Sequence, residues 1–235
     1  MREEYTRETY PSFGKKYNGE KAIISLTSWR ARINTVSKTL FSLLKQCPGF
    51  HIVLVLSEEE FPKMMDELPE NLKLFVDNEL IEVLWVFRNY KSFKKVLFTM
   101  DKYRDMPVIS ADDDCIYTCN YAQELYDKWF TDKNEKPIIY TIDLCRKFNT
   151  SFSHGPTTLF SPYCFLQYGI TNLSPIILRT NHDDLFYGCL AKKYKISIKN
   201  IHSKCVYIFH DCLRALSQNN KTSLSEAFKI IWKKI

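Results

Sequence analysis

Three consecutive carboxylates, Asp112-Asp113-Asp114, follow directly on the apolar run Val108-Ile-Ser-Ala111. Adjacent negative charges repel one another unless a cation offsets them. In an extended segment side chains alternate, so Asp112 and Asp114 are expected on one side and Asp113 on the other. Two carboxylates spaced this way suit Mg2+ or Mn2+, hard ions that prefer oxygen and keep positions open for water and diphosphate oxygens. A metal held there would neutralise charge growing on a departing nucleoside diphosphate. The same residues also read as an acidic turn capping a helix after Tyr117.

Other residues join this candidate chemistry. Asp183 and Asp184 open an expected helix from His182 to Tyr194. Carboxylates in a first helical turn are favoured by the macrodipole, so they read as simple caps. One of them set against an acceptor hydroxyl would instead be a general base. Thr27, Ser28 and Arg32 follow the first apolar run, where they could meet the base, ribose or phosphate of one ligand, since arginine pairs well with phosphate. Lys94 and Lys95, one helix before the aspartates, read on their own as solvated surface lysines. Trp29 reads as a packing residue.

The elements that must position these groups follow from periodicity. Lys21 to Thr27, His51 to Leu56, Ile81 to Phe87 and Pro107 to Ala111 are short apolar runs fit for buried strands. Between them, Asn34 to Gln46 carries Val36, Leu40, Leu43 and Leu44 on one helical face, with Cys47-Pro48-Gly49 as its stop. Ser57 followed by Glu58, Glu59 and Glu60 has the pattern of a capping box and predicts a helix start. Ser92 to Tyr103 predicts a further helix. This alternation predicts an α/β fold, a mostly parallel Rossmann-type sheet with helices on both faces. Ligands in such sheets bind outside the carboxyl ends of the strands, where Thr27 to Arg32 and Asp112 to Asp114 both fall. Beyond residue 120 the pattern is less regular. Pro137 to Ile142 reads as a strand, His154 to Tyr163 as a loop with an apolar core, and Ile196 to Ile201 and Val206 to Phe209 as short strands. Thr222 to Ile235 reads as a basic helix. Residues 1–20, polar with Pro and Gly, read as a loose N-terminal arm.

Composition narrows the function classes. The chain has 235 residues, 45% hydrophobic and 14% aromatic, enough for one packed α/β domain. Only 6 glycines are present, and neither of the two common glycine-rich phosphate loops occurs. A net charge of +6 suits an anionic ligand or an anionic membrane surface. No arginine-rich stripe with interleaved aromatics points to nucleic acid. The 8 cysteines form no C-x-x-C pair and follow no secretory signal, so free thiols in the cytoplasm are expected. No run of about 18 apolar residues predicts a membrane span.

Taken together, several segments resemble the GT-A-fold glycosyltransferases, specifically small bacterial enzymes of surface-polysaccharide assembly such as capsule or lipopolysaccharide. They are Ile24-Ser-Leu-Thr-Ser-Trp-Arg-Ala-Arg-Ile33, Phe93-Lys-Lys-Val-Leu97 and Val108-Ile-Ser-Ala-Asp-Asp-Asp-Cys-Ile-Tyr117, then His154-Gly-Pro through Pro162 and Asn181-His-Asp-Asp-Leu185. The resemblance implies a nucleotide-binding half at 21–118 and an acceptor half at 119–235. It implies that Thr27, Ser28 and Arg32 lie against the nucleotide of a sugar donor, with Lys95 nearby. Asp112 and Asp113 would approach the ribose and diphosphate, and Asp114 would bind Mn2+ or Mg2+ most directly. Asp184, or Asp183, would be the base of an inverting transfer from a UDP-type sugar to a glycan or lipid-linked glycan hydroxyl, at the inner face of the cell membrane. The loop from Gly155 to Ser161 would line the sugar and acceptor cleft, and His202 or His210 could add a metal ligand. Arg30 stands where such sequences often carry Pro, and His182 where an acidic residue is expected. Two other classes share parts of this pattern. A nucleotidyltransferase or phosphate hydrolase also uses Mg2+ on strand-end carboxylates, and an inactive scaffold subunit keeps the fold but disables the aspartates.

Overall fold

A computed structural model describes residues 5–46, 48–132, 136–142, 144–153, 157–165, 168, 173–202 and 222–235. The expected strand at Val206 to Phe209, His210, the His154-Gly155-Pro156 segment and Cys47 lie outside the described residues.

The alternation expected for the first half is present. The strands are β1 (Ser12–Gly14), β2 (Ala22–Thr27), β3 (Phe50–Ser57), β4 (Glu82–Val86), β5 (Val108–Ser110), β6 (Ile138–Thr141), β7 (Leu144–Lys147), β8 (Thr150–Ser153), β9 (Thr158–Phe160) and β10 (Ser197–Asn200). The helices are α1 (Val36–Leu44), α2 (Glu70–Asp77), α3 (Lys94–Lys102), α4 (Tyr121–Asp132), α5 (Pro175–Thr180), α6 (Asp183–Lys193) and α7 (Leu224–Lys234). Eight strands form one sheet in the order β1-β4-β3-β2-β5-β9-β6-β10, and β7 pairs with β8 in a separate hairpin. β2, β3, β4 and β5 run parallel, as do β6 and β10. β9 runs antiparallel to both of its neighbours, and β1 antiparallel to β4.

The period of two along β3 shows why the core has two layers. Val53 and Val55 pack with Val96 of α3, Leu185 of α6 and Ile231 of α7. Ile52, Leu54 and Leu56 pack on the other face with Leu40 of α1, Leu72 of α2 and Leu125 of α4. A strand buried on both faces is mostly apolar along its length, as β2 and β3 are, with Ser25, His51 and Ser57 as buried polar exceptions.

Three expectations are corrected. The segment read as a loose arm carries β1, and it is docked by aromatics. Tyr10 is buried with its hydroxyl 3.2 Å from Asp101, and Tyr17 packs against His51 and Tyr103. β1 (SFG) is short, mostly exposed and set in a polar segment, so those tyrosines are its signal in the sequence. The helix expected at Ser57 does not start there. Ser57 ends β3, its hydroxyl donates to Glu60 at 3.0 Å, and α2 begins only after Pro69. The apolar core of the expected loop from His154 to Tyr163 is a central strand, β9.

β8 and α6 approach closely because residue 188 is glycine. A Cβ there would lie 2.3 Å from the Ser151 carbonyl oxygen. The β3–β4 seam also buries a polar cluster, in which Glu82 is bonded to His51 at 2.7 Å and accepts from Lys102 and Tyr103. Burial alone would raise the Glu82 carboxyl. The bonds from His51, Lys102 and Tyr103 outweigh it and hold the group down at about 2. A carboxyl depressed in the folded state stabilises the fold above its ordinary value near 4.5, and that stability is lost as pH falls toward 2. Glu82→Gln should therefore remove about 3 kcal/mol of the difference in unfolding free energy between pH 6 and pH 2, by one unit of pKa per 1.36 kcal/mol. Denaturant titrations at several pH values check this; equal acid sensitivity in both proteins would refute it.

Candidate active site

The carboxyl ends of β2 and β5 lie side by side, because Ser25 pairs with Ser110. The loops that follow them therefore meet. Ser28 Oγ donates to Asp113 Oδ2 at 2.6 Å. Arg32 reaches Asp113 Oδ1 through Nη1 at 2.5 Å and Asp114 Oδ2 through Nη2 at 3.0 Å. Arg32, Asp113 and Asp114 are all buried. Burial would lower the Arg32 pKa, but Asp113 and Asp114 overcome it and raise it. Burial raises the Asp113 carboxyl despite Arg32 and Ser28.

The aspartates do not alternate as an extended strand would. β5 ends at Ser110 and the chain turns at Asp113-Asp114, so both point at Arg32 while Asp112 turns to Lys95. The expected sharing of one side by Asp112 and Asp114 thus gives way to a split between two cations. Nor do Asp112 and Asp113 cap the following helix, since α4 begins at Tyr121, well past them.

Lys95 connects the two halves of the chain. Its Nζ lies 2.7 Å from Asp112 Oδ1 and 3.3 Å from Asp183 Oδ2. The latter pair lacks hydrogen-bond geometry, and Asp183 Oδ2 is buried without a hydrogen-bond partner among the described residues. Burial opposes the charge on Lys95, yet Asp112, Asp183 and Asp184 hold its pKa well above the ordinary value. The reading of Lys94 and Lys95 as solvated is corrected: they are 1% and 4% exposed. Lys94 Nζ lies 3.3 Å from Glu60 Oε2. Adjacent lysines inside the otherwise apolar run Phe93 to Met100 are the signal that was available. A helix advances about 100° per residue, so neighbours of buried Phe93, Val96 and Leu97 on both sides cannot both escape the core.

α6 brings Asp183 and Asp184 to this place. Lys91 anchors the preceding turn by donating to Asn181 Oδ1 at 2.5 Å and to the Leu178 carbonyl at 3.2 Å. Asp183 is buried in the cluster, whereas Asp184 is half-buried. Thr27 sits at the rim with its hydroxyl committed to the Val55 carbonyl at 2.7 Å. His202 is exposed just past β10. Two supporting residues had no motif to mark them. Thr39 of α1 donates to the carbonyls of Asp113 at 3.0 Å and Cys115 at 2.8 Å, and Tyr117 Oη accepts from the Asp112 amide at 2.7 Å. Together they hold the acidic turn from both sides.

The whole is a partly buried cluster of carboxylates with more acids than cations. That donor set suits Mg2+ or Mn2+. Among the described residues, no group of three or more His, Cys, Asp or Glu side chains is arranged to hold a metal. Cys115, Cys119, Cys164 and Cys189 are free thiols. No described helix is long and apolar enough to cross a membrane.

Removing Arg32 would leave Asp113 and Asp114 buried without their cation. Arg32→Met should destabilise the fold by about 3–5 kcal/mol near neutral pH. Asp113, raised already, would rise further in the variant, and its charged form carries the penalty. The deficit should therefore shrink as pH falls toward 4, because protonation removes the uncompensated charge. Parallel unfolding curves at pH 7.5 and 4.5 test this; a deficit that grows on acidification would refute the assignment.

No protein-family model and no curated protein matches the sequence. Solved structures match in three dimensions. The mannosyltransferase PcManGT from Pyrobaculum calidifontis, in complex with GDP-Man and Mn2+, superposes with a TM-score of 0.58 at 11% identity, covering 82% of this chain and 58% of its own. Residues 1–349 of S. aureus TarS superpose with a TM-score of 0.52 at 14% identity, covering 90% of this chain and 69% of theirs. This chain thus spans little more than half of the mannosyltransferase, and at these identities the likeness is one of fold, a GT-A-like α/β sheet.

Proposed function

We propose that this chain is a metal-dependent glycosyltransferase that moves a sugar from a nucleotide diphosphate donor, UDP-linked in our reading, to a hydroxyl of a glycan or lipid-linked glycan. The observation that carries the proposal is the convergence of Asp112, Asp113 and Asp114 with Asp183 and Asp184 around Arg32 and Lys95, at the carboxyl ends of β2 and β5. Support also comes from the fold shared with a mannosyltransferase solved with GDP-Man and Mn2+.

In this reading residues 21–118 bind the nucleotide and residues 119–235 the acceptor. Asp112 and Asp114, which face Lys95 and Arg32 here, would turn toward one ion to hold Mn2+ or Mg2+, leaving further positions to diphosphate oxygens and water. Once bound, the ion supplies charge neutralisation for the departing nucleoside diphosphate. The chain's own groups do the rest. Thr27 and Ser28 border the nucleotide, Arg32 fixes the acidic turn, and Lys95 ties that turn to α6 so that donor and acceptor sides keep register. Asp184, the half-exposed member of its pair, takes the proton of the acceptor hydroxyl as that oxygen attacks in an inverting displacement. Asp183, buried against Lys95, orients the first turn of α6. The enzyme would work in the cytoplasm, at the inner face of a membrane that presents the acceptor.

Calorimetric titration with UDP, GDP and CDP, each with Mn2+ and with chelator, tests the donor class. One nucleotide should bind in a metal-dependent way to the parent, and Asp114→Asn, with a lowered melting point from the lost Arg32 pair but assayed well below it, should lose that dependence. A folded parent that binds none of the three would sink the proposal. Asp184→Asn should keep donor affinity and slow transfer by roughly 10²–10⁴-fold, the range for a lost general base. Transfer at the parental rate would remove Asp184 from the mechanism.

A further inference from the structure

At the far end of α6 lies a second feature that the candidate site does not use. A cavity of about 510 Å³ opens between the β7–β8 hairpin, the last turns of α6 and the start of β10. Its floor is apolar or small, with Gly188, Ala191, Ile196 and Ile198. Arg146, Lys147 and Lys192 supply its charge, and no acidic residue lines it. Arg146 and Lys147 are exposed and have no ion pair among the described residues, while Lys192 donates to the Asn149 carbonyl at 2.8 Å.

The hairpin tip is strained in an unusual way. Phe148 and Asn149 sit at φ of 54° and 53°, the left-handed region that two-residue hairpins require. Asn tolerates that region, but a bulky aromatic there is an outlier, and local folding would favour Asn or Gly in its place. Phe148 is nonetheless 38% exposed, stacked on Phe228 of α7 at 5.1 Å, which stacks in turn on Trp232 at 5.9 Å. Lys192 lies over Trp232, 5.2 Å from the ring centroid. Lys229, Lys233 and Lys234 are exposed on the same helix.

We infer that this face seats on a lipid bilayer containing anionic phospholipid, with headgroup phosphates in the cavity and the Phe148–Phe228–Trp232 row at the interface. Basic side chains around half-exposed aromatics are the composition of an interfacial surface. Nucleic acid also offers phosphates, but these rings stack on one another rather than standing apart as platforms for successive bases. The inference deepens the reading of an enzyme working at a membrane face and rests on it for the acceptor. Asp184 and Lys192 are eight residues apart on one helix, about 12 Å. A bilayer seated at the cavity would therefore hold a lipid-linked acceptor within reach of the base.

Co-sedimentation with vesicles tests the contact without any nucleotide, so its outcome is independent of the donor titration. Vesicles of phosphatidylcholine with about one-third phosphatidylglycerol should retain the chain at low salt, and pure phosphatidylcholine should not. Arg146→Ala with Lys147→Ala should weaken retention by about fivefold per cation. Phe148→Asn relieves the strained turn, so it should fold at least as well while binding about tenfold more weakly, as expected for one lost buried aromatic. Three results would each overturn the inference: no retention of the parent, parental retention of Phe148→Asn, or stronger retention on polyuridylate than on the anionic vesicles.

Discussion

Everything in the candidate site depends on charge balance under burial. Carboxylates removed from water must find cations or take up protons, and this chain buries Asp113, Asp114 and Asp183 within one small volume. It answers with two fixed cations of different kinds. Arg32, planar and forked, spans two neighbouring aspartates with two nitrogens. Lys95, a point charge on a flexible stem, sits between carboxylates that come from opposite halves of the sequence. The acids still outnumber these two partners.

That balance is possible only because of where the strands end. Parallel pairing of β2 with β5 puts the loops after Thr27 and after Ser110 next to one another. α3 lies across the same strands, with Ser25 Oγ bonded to the Lys95 carbonyl and 2.6 Å from Thr99 Oγ1. This fixes where the Lys95 side chain can go. α6 is drawn into place by the glycine contact at its middle and by the Lys91 anchor before its start. The site is thus assembled from four elements whose positions are set by packing, and the polar contacts then choose among the remaining rotamers.

How much of this is legible in the sequence depends on segment length and context. Strands β2 to β5 and helices α1 and α3 are legible because two-sided burial makes each strand mostly apolar and each helix amphipathic over several turns. β1 and β9, three residues each like β5, lack the longer apolar run that marks β5: β1 (SFG) sits in a polar segment and β9 inside a loop pattern. The β7–β8 hairpin is invisible to turn rules because Phe148-Asn149 replaces the usual Asn-Gly. Of the site, Asp112 to Asp114, Ser28 and Arg32 stand out through their place after apolar runs. The lysines do not. A lysine's ordinary place is in water, and only tertiary contact with Asp112 and Asp183 or with Glu60 explains why Lys95 and Lys94 are buried.

The docked N-terminal segment has a consequence of a different kind. β4 (EVLWV) is buried at all five positions, and without β1 its outer backbone would be an open, apolar edge able to pair with another chain. β1 closes that edge with three residues and then becomes a poor template itself. Pro11 lacks an amide proton, Gly14 turns the backbone through φ of 87°, and Lys15 and Lys16 follow at once. The segment acts as a cap against edge-to-edge aggregation, so its loss would show first as poor solubility, before any change at the acidic cluster.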